Sequence, residues 1–343
     1  MKQRNVWMAL VILAVVIVLA VYFASLQTRD GEVALEEQPV TQIMLSGPIT
    51  DGKAELSGLA WVGDNLVLLP QYPNVFDESG DGFLYYIPKA EIIAYLDGTS
   101  QAALEPHPIQ LVAPDLTDQI RNYQGFESIG FSGQRAFLTI ESGEGANMQG
   151  YLISGVLSPD LGVLLLDTSQ LTEISPQAKS ENHTDESILV LEDKIITFYE
   201  VNGEAVVADP VAHVFDYDLN SLGTVPMVNL EYRLTDTALA SANEFWGIDY
   251  FFPGDTDLLP ESDPVLKAFG MGKSQVDHAQ VERLVKFQYS DSEITFVNTP
   301  PVLLTLENDA RNWEGLVVLG ERGFLMATDK FPSTILAFVP MPK

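Results

Sequence analysis

No cysteine occurs anywhere in the 343 residues, which excludes disulfides and every thiolate metal or redox centre. Basic residues are scarce. Eighteen Lys and Arg stand against 48 Asp and Glu, a formal charge of −30. Phosphate backbones would be repelled, so no nucleic-acid partner is expected. The four histidines, His107, His183, His213 and His278, are scattered, and neither H-E-x-x-H nor G-x-S-x-G occurs, which removes the helical zinc site and the nucleophile elbow. Gly270-Met271-Gly272-Lys273-Ser274 imitates the end of a phosphate loop, but Lys267 stands where its first glycine belongs. Helical periodicity is rare as well, confined to residues 90–96 and 264–268. What is present is a hydrophobic fraction of 46%, ample for a core and incompatible with disorder.

One long apolar run exists. Residues 6–24 carry no charge over nineteen positions, about the length that crosses the ~30 Å core of a bilayer. Lys2 and Arg4 lie on its short side, so the positive-inside rule places the bulk of the chain outside the cytoplasm. Tyr22 and Phe23 occupy the positions where a signal peptidase needs small residues, which favours an uncleaved anchor over a cleaved signal. The expected division is a cytoplasmic stub 1–5, a transmembrane anchor 6–24, an acidic tether 25–39 and one β-domain 40–343.

Beyond the tether the pattern is that of strands throughout, and a carboxylate returns in one frame. Glu127 opens ESIGF, Glu186 opens ESILV and Glu314 opens EGLVV. Each begins an apolar run, a short turn and a second apolar run closed by another acid. The closing residues are Glu141 and Glu200, both fourteen positions on, and Asp329, fifteen on. Ser57 opens SGLAW and leads to Gln71 with the same spacing; Glu244 opens EFWGI, but its frame drifts after Pro253. The five heads lie 70, 59, 58 and 70 residues apart. Repeats of that length, each tied to a strand pair, predict an all-β β-propeller with five blades, six being the alternative. The last unit is one strand short before the chain stops. Residues 40–45 are expected to supply it and close the ring, while residues 255–280 read as an insertion in the fourth unit.

The head of each innermost strand in a propeller faces the axis. Ser57, Glu127, Glu186, Glu244 and Glu314 are therefore expected to converge. Carboxylates gathered in that way cannot all remain ionised without a counter-charge. A hard cation resolves the conflict, and a set of oxygen ligands without His or Cys favours Ca²⁺ over Zn²⁺. The plainer alternative is that these glutamates cap inner strands or face water. His183, three residues before Glu186, is the one candidate general base, against the commoner role of a loop histidine. Asp77-Glu78-Ser79-Gly80-Asp81-Gly82 opens like a calcium loop, but Pro88 stands where its bidentate glutamate belongs. Asp216, Asp218 and Asn220 share a similar spacing at a turn.

Two short stretches carry a family resemblance. His183-Thr184-Asp185-Glu186-Ser187 and Asn312-Trp313-Glu314-Gly315-Leu316 resemble inner strands of the soluble calcium-activated nucleotidases, five-bladed apyrase-type propellers. The resemblance implies an axial calcium held by one residue per blade, here Ser57, Glu127, Glu186, Glu244 and Glu314. It does not imply nucleotide hydrolysis, because Leu69-Pro70-Gln71-Tyr72-Pro73 replaces that family's acidic, arginine-containing loop. The phrases at 56–61 and from Glu314 are similar to the esterase-like phytase propellers as well. Two functions follow as expectations: a metal-dependent hydrolase of phosphate or ester bonds acting on a small molecule, or a non-catalytic extracytoplasmic propeller binding a partner or carbohydrate.

Overall fold

The computed structural model describes residues 35–77 and 80–343. The expected anchor at 6–24 lies outside them, as do the stub and most of the tether. Among the described residues no helix is long and apolar enough to cross a membrane.

Among the described residues five antiparallel meanders are traced, and their first strands are Leu56–Val62, Tyr123–Ser132, Asp185–Val190, Arg233–Leu239 and Trp313–Val318. These inner strands pack in a cycle, each against the next and the fifth against the first. Each meander runs outward through a second strand, in order Asn65–Pro70, Arg135–Glu144, Ile195–Tyr199, Glu244–Phe251 and Gly323–Thr328. The fold is all-β and propeller-like. Thr41–Ile43 pairs antiparallel with Leu336–Pro340 and completes the fifth meander, as expected from residues 40–45.

The apolar runs are continuous because both faces of the middle strands are covered. Along Asn65–Pro70, alternate side chains point to opposite faces. Leu66 and Leu68 join the core shared with the fifth meander, Val67 and Leu69 the core shared with the second. Corresponding clusters lie between second and third, third and fourth, and fourth and fifth meanders. Close approach of the inner strands favours glycine at three points, one of them Gly130, where a Cβ would sit 2.6 Å from Val190 Cγ2. A Cβ on Gly315 would sit 2.7 Å from Leu59 Cγ, and one on Gly58 would sit 3.3 Å from the Ile129 backbone nitrogen.

Helices form where the periodicity expects them, at Lys89–Leu96 and Pro264–Phe269, and one further turn of helix, Leu116–Gln119, is not expected because four residues are too few to show a period. Pro264–Phe269 belongs to the insertion in the fourth meander. The tether needs correction: its last residues are part of the sheet. Glu37 and Gln38 pair in parallel with Leu303 and Leu304, and Glu37 Oε1 accepts from Ser274 N at 2.6 Å. Backbone groups there find partners on an open sheet edge, which an acidic composition does not forbid.

One buried carboxylate ties the ring at its centre. Asp236 is 3% exposed and accepts from Leu316 N at 2.6 Å and Thr237 N at 2.8 Å. Burial pushes its carboxyl well above the usual range, while backbone N–H groups of Thr237, Leu316 and Leu59 pull the other way. Three inner strands thus share one side chain. Asp236→Ala strands those donors in an apolar interior and should cost roughly 3–5 kcal/mol in urea unfolding. A loss below about 1 kcal/mol would show that water replaces the carboxylate.

Candidate functional site: an acid-lined pocket at the mouth of the ring

Every inner strand carries a bulge near its head. The register with the second strand shifts between Leu56 and Gly58, Phe126 and Ser128, Asp185 and Ser187, Leu234 and Thr237, and Trp313 and Gly315. A bulge takes its extra residue out of the ladder and re-aims it. In the second, third and fifth meanders that residue is Glu127, Glu186 and Glu314. All three line a cavity of about 410 Å³ at one mouth of the ring.

The closing acids enter the same cavity. Glu200 and Asp329 follow the last paired residue of their hairpins, and Glu141 pairs with Gly125 near the end of its own. All three reach the cavity, which together with Glu55 is lined by seven carboxyl groups. Gln71 takes the corresponding place in the first meander and donates its amide to Glu127 Oε1 at 3.1 Å. Gly125 makes room for it, since a Cβ there would lie 2.4 Å from Gln71 Cγ. The sequence displays these closing acids fourteen or fifteen residues after the heads, and the ladder register is what turns that spacing into proximity.

The fourth meander departs from the rest. Its second strand places Tyr250 opposite Arg233, where the other meanders carry Gln71, Glu141, Glu200 and Asp329. Arg233 reaches across instead. It donates to Glu200 Oε1 at 2.7 Å and lies 2.7 Å from Asp255 Oδ2. The only other cation lining the cavity is Lys330, at the rim, paired with Glu55 at 2.9 Å. Negative charge therefore exceeds positive inside the cavity.

Five of these carboxyls have a raised affinity for protons. Burial first, and neighbouring carboxylates second, push Glu127, Glu186 and Glu314 well above the usual range. Burial and Glu200 raise Glu141 to about 7, and burial raises Asp329. Glu200 is 1% exposed, and its Oε2 has no hydrogen-bond partner. His183 Nε2 approaches that oxygen to 3.5 Å. Burial lowers the pKa of this imidazole, so it is a neutral neighbour of the acids near pH 7.

Two expected ring members are corrected. Glu244 starts the second strand of its meander, not the first, and pairs with Lys286 at 2.6 Å. The apolar alternation of EFWGI belongs to a strand buried on both faces, so it imitates an inner strand. Thr235 takes the ring position, and its hydroxyl donates to Trp313 O at 2.6 Å. Ser57 does occupy its bulge, but it is 1% exposed and donates its hydroxyl to Phe126 O at 2.7 Å. Ser57 and Thr235 thus clip neighbouring inner strands together and stand apart from the acids.

Among the described residues no three His, Asp or Glu side chains are drawn into a ready-made metal-ligand group. The donor set nonetheless fits a hard cation: oxygen atoms alone, an excess of carboxyls, and an orphaned oxygen on Glu200. Elsewhere, residues 78 and 79 of the calcium-like loop lie outside the described residues. Asp81 Oδ2 accepts from Ala113 N at 2.7 Å, and Asp216 Oδ1 accepts from Asn220 N at 2.9 Å in its own turn.

No family model matches the chain, and no curated protein does. Solved structures that share features with it are distant. An exo-β-1,3-galactanase from Phanerochaete chrysosporium is 10% identical over 89% of this chain and 64% of that one, with a TM-score of 0.46. A luciferin-regenerating enzyme is 9% identical over 89% and 95%, with a TM-score of 0.44. An α-L-arabinanase mutant from Cellvibrio cellulosa is 8% identical over 84% and 90%, with a TM-score of 0.44. The chain spans less than two thirds of the galactanase and 57% of the Nup159 N-terminal domain. None of these four is an apyrase-type nucleotidase or a phytase. The architecture rests on the strand pairing and the chemistry on the acid-lined pocket.

Proposed function

We propose that this chain is a five-bladed, membrane-anchored extracytoplasmic propeller whose acid-lined channel mouth binds Ca²⁺. One observation carries the reading: Glu127, Glu141, Glu186, Glu200, Glu314 and Asp329 surround one cavity with the half-buried Arg233 and the rim Lys330 against them. In that setting the ionised forms need more positive charge than Arg233 supplies, and a hard divalent ion is the chemistry that matches oxygen-only donors. Glu127, Glu186 and Glu314 are the proposed principal ligands, with Glu200 and Asp329 completing the set. A bound cation would hold and polarise a substrate oxygen. Glu141, raised to about 7, is then the group whose pKa suits proton transfer near neutrality. The reaction class so proposed is hydrolysis of an ester or phosphoester.

Calorimetric titration of the full chain with CaCl₂ at pH 8 tests the site. One ion per chain is expected for wild type, and none for Glu186→Gln combined with Glu314→Gln. Unchanged binding in that double variant would remove the pocket as the site. The second reading is a non-catalytic propeller that binds carbohydrate or a partner. It is favoured by the absence from the cavity lining of any cation besides Arg233 and Lys330, which leaves little to hold an anionic leaving group.

A further inference from the structure

A cleft of about 520 Å³ opens beside the acid pocket, between the fourth and fifth meanders. It shares Arg233, Asn312 and Phe331 with that pocket, so the two form one depression. The cleft exists because the fourth meander breaks the pattern of the ring. Tyr250 stands where four other meanders place an amide or an acid, and its buried ring becomes part of the cleft wall.

Two aromatic side chains lie on the lips. Phe252 is 50% exposed and Phe331 58% exposed. Large apolar groups gathered at a concave site with a few polar groups between them mark a ligand surface. Both residues are held in place. Phe331 N donates to Asp329 Oδ1 at 2.7 Å, and Phe331 O accepts from Asn312 N at 3.1 Å. The ring of Phe252 lies over Gly254, where a Cβ would come within 2.4 Å of its Cε1. The packed Phe252 ring and the anchored Phe331 backbone reduce the freedom lost when a ligand arrives.

We propose that this cleft binds a neutral sugar ring, with its apolar face on Phe252 and Phe331 and its hydroxyls toward Asn308 and Asp309. Charge selects the class. Asp309 lines the cleft, seven carboxyls line the pocket beside it, and Arg233 is already shared by Glu200 and Asp255. Free anions are therefore disfavoured. A pyranose offers an apolar face and a rim of hydroxyls, which matches aromatic lips with planar amide and carboxylate groups between them. This inference rests on the second reading above and requires no cation in the pocket.

Saturation-transfer NMR on the full chain tests it, with methyl β-glucopyranoside, methyl β-galactopyranoside, methyl α-mannopyranoside and methyl β-xylopyranoside as probes and adenosine as a flat neutral comparison. At least one pyranoside is expected to bind in chelator and in calcium alike. Its affinity should fall at least tenfold in Phe331→Ala and in Phe252→Ala, two exposed positions whose change leaves the core intact. Gly254→Ala, which displaces the Phe252 ring without removing it, should weaken the same probe. No transfer to any pyranoside, transfer to adenosine alone, or affinities unchanged in all three variants would overturn the proposal. Calcium titration of the same samples separates that failure from failure of the cation site.

Discussion

In the absence of divalent ions the protein is expected to lose stability as pH rises from about 4.5 to 7 and above, and Ca²⁺ should abolish that loss. The folded state raises the Glu141 carboxyl from 4.5 to about 7 and raises Glu127, Glu186 and Glu314 well above the ordinary value in the same direction. Across this window the folded chain holds more protons than the unfolded chain, so stability falls with rising pH. It is full below the ordinary carboxyl value and is lost as pH passes through the raised ones. For Glu141 alone, a shift of that size corresponds to roughly 3 kcal/mol. Calcium should reverse the trend because it stabilises the ionised carboxylates and binds only the folded state.

Thermal unfolding at pH 5 and pH 8, in chelator and in millimolar CaCl₂, provides the measurement. Asp236 and Asp249 also carry raised carboxyls, so the comparison must be with Glu186→Gln combined with Glu314→Gln. That variant should melt higher than wild type at pH 8 in chelator and show no response to calcium. Equal melting points for wild type in chelator at both pH values would defeat the electrostatic account.

Removing Arg233 should move stability and calcium affinity in opposite directions. Its guanidinium is 19% exposed and bridges Glu200 and Asp255. Arg233→Met leaves both carboxylates without that counter-charge, and breaking a buried pair from one side costs about 3–5 kcal/mol. The deficit should be greatest at pH 8 in chelator and shrink toward pH 5 as the carboxyls take protons. The same change removes one positive charge from the cavity, so calcium should bind more tightly than to wild type. Arg233→Lys should be intermediate, since an ammonium keeps the charge but cannot span two partners as a planar fork does. Lower affinity for calcium in Arg233→Met would show that Arg233 organises the ligands and does not compete with the ion.

The sequence by itself determined the strand pattern, the apolar content of both strand faces, the closing strand at Thr41–Ile43 and two acids per hairpin in three units. Those features are local: alternation, turn residues and a near-constant spacing survive without knowledge of neighbours. Glu127, Glu186 and Glu314 were legible for the same reason, since a bulge at the head of a strand depends on the hairpin alone. Glu244 was misplaced because a second strand buried on both faces has the same alternation as an inner one, and only pairing distinguishes them. Sequence spacing linked Glu141, Glu200 and Asp329 to their hairpins, but the tertiary structure decided that all three share a cavity with the ring acids. It also put Thr235 and Arg233 in the odd meander, clipped Ser57 to its neighbour and opened the Tyr250 cleft. These are outcomes of register and of contacts between units distant in the chain, where a shift of one residue changes which side chain faces the axis.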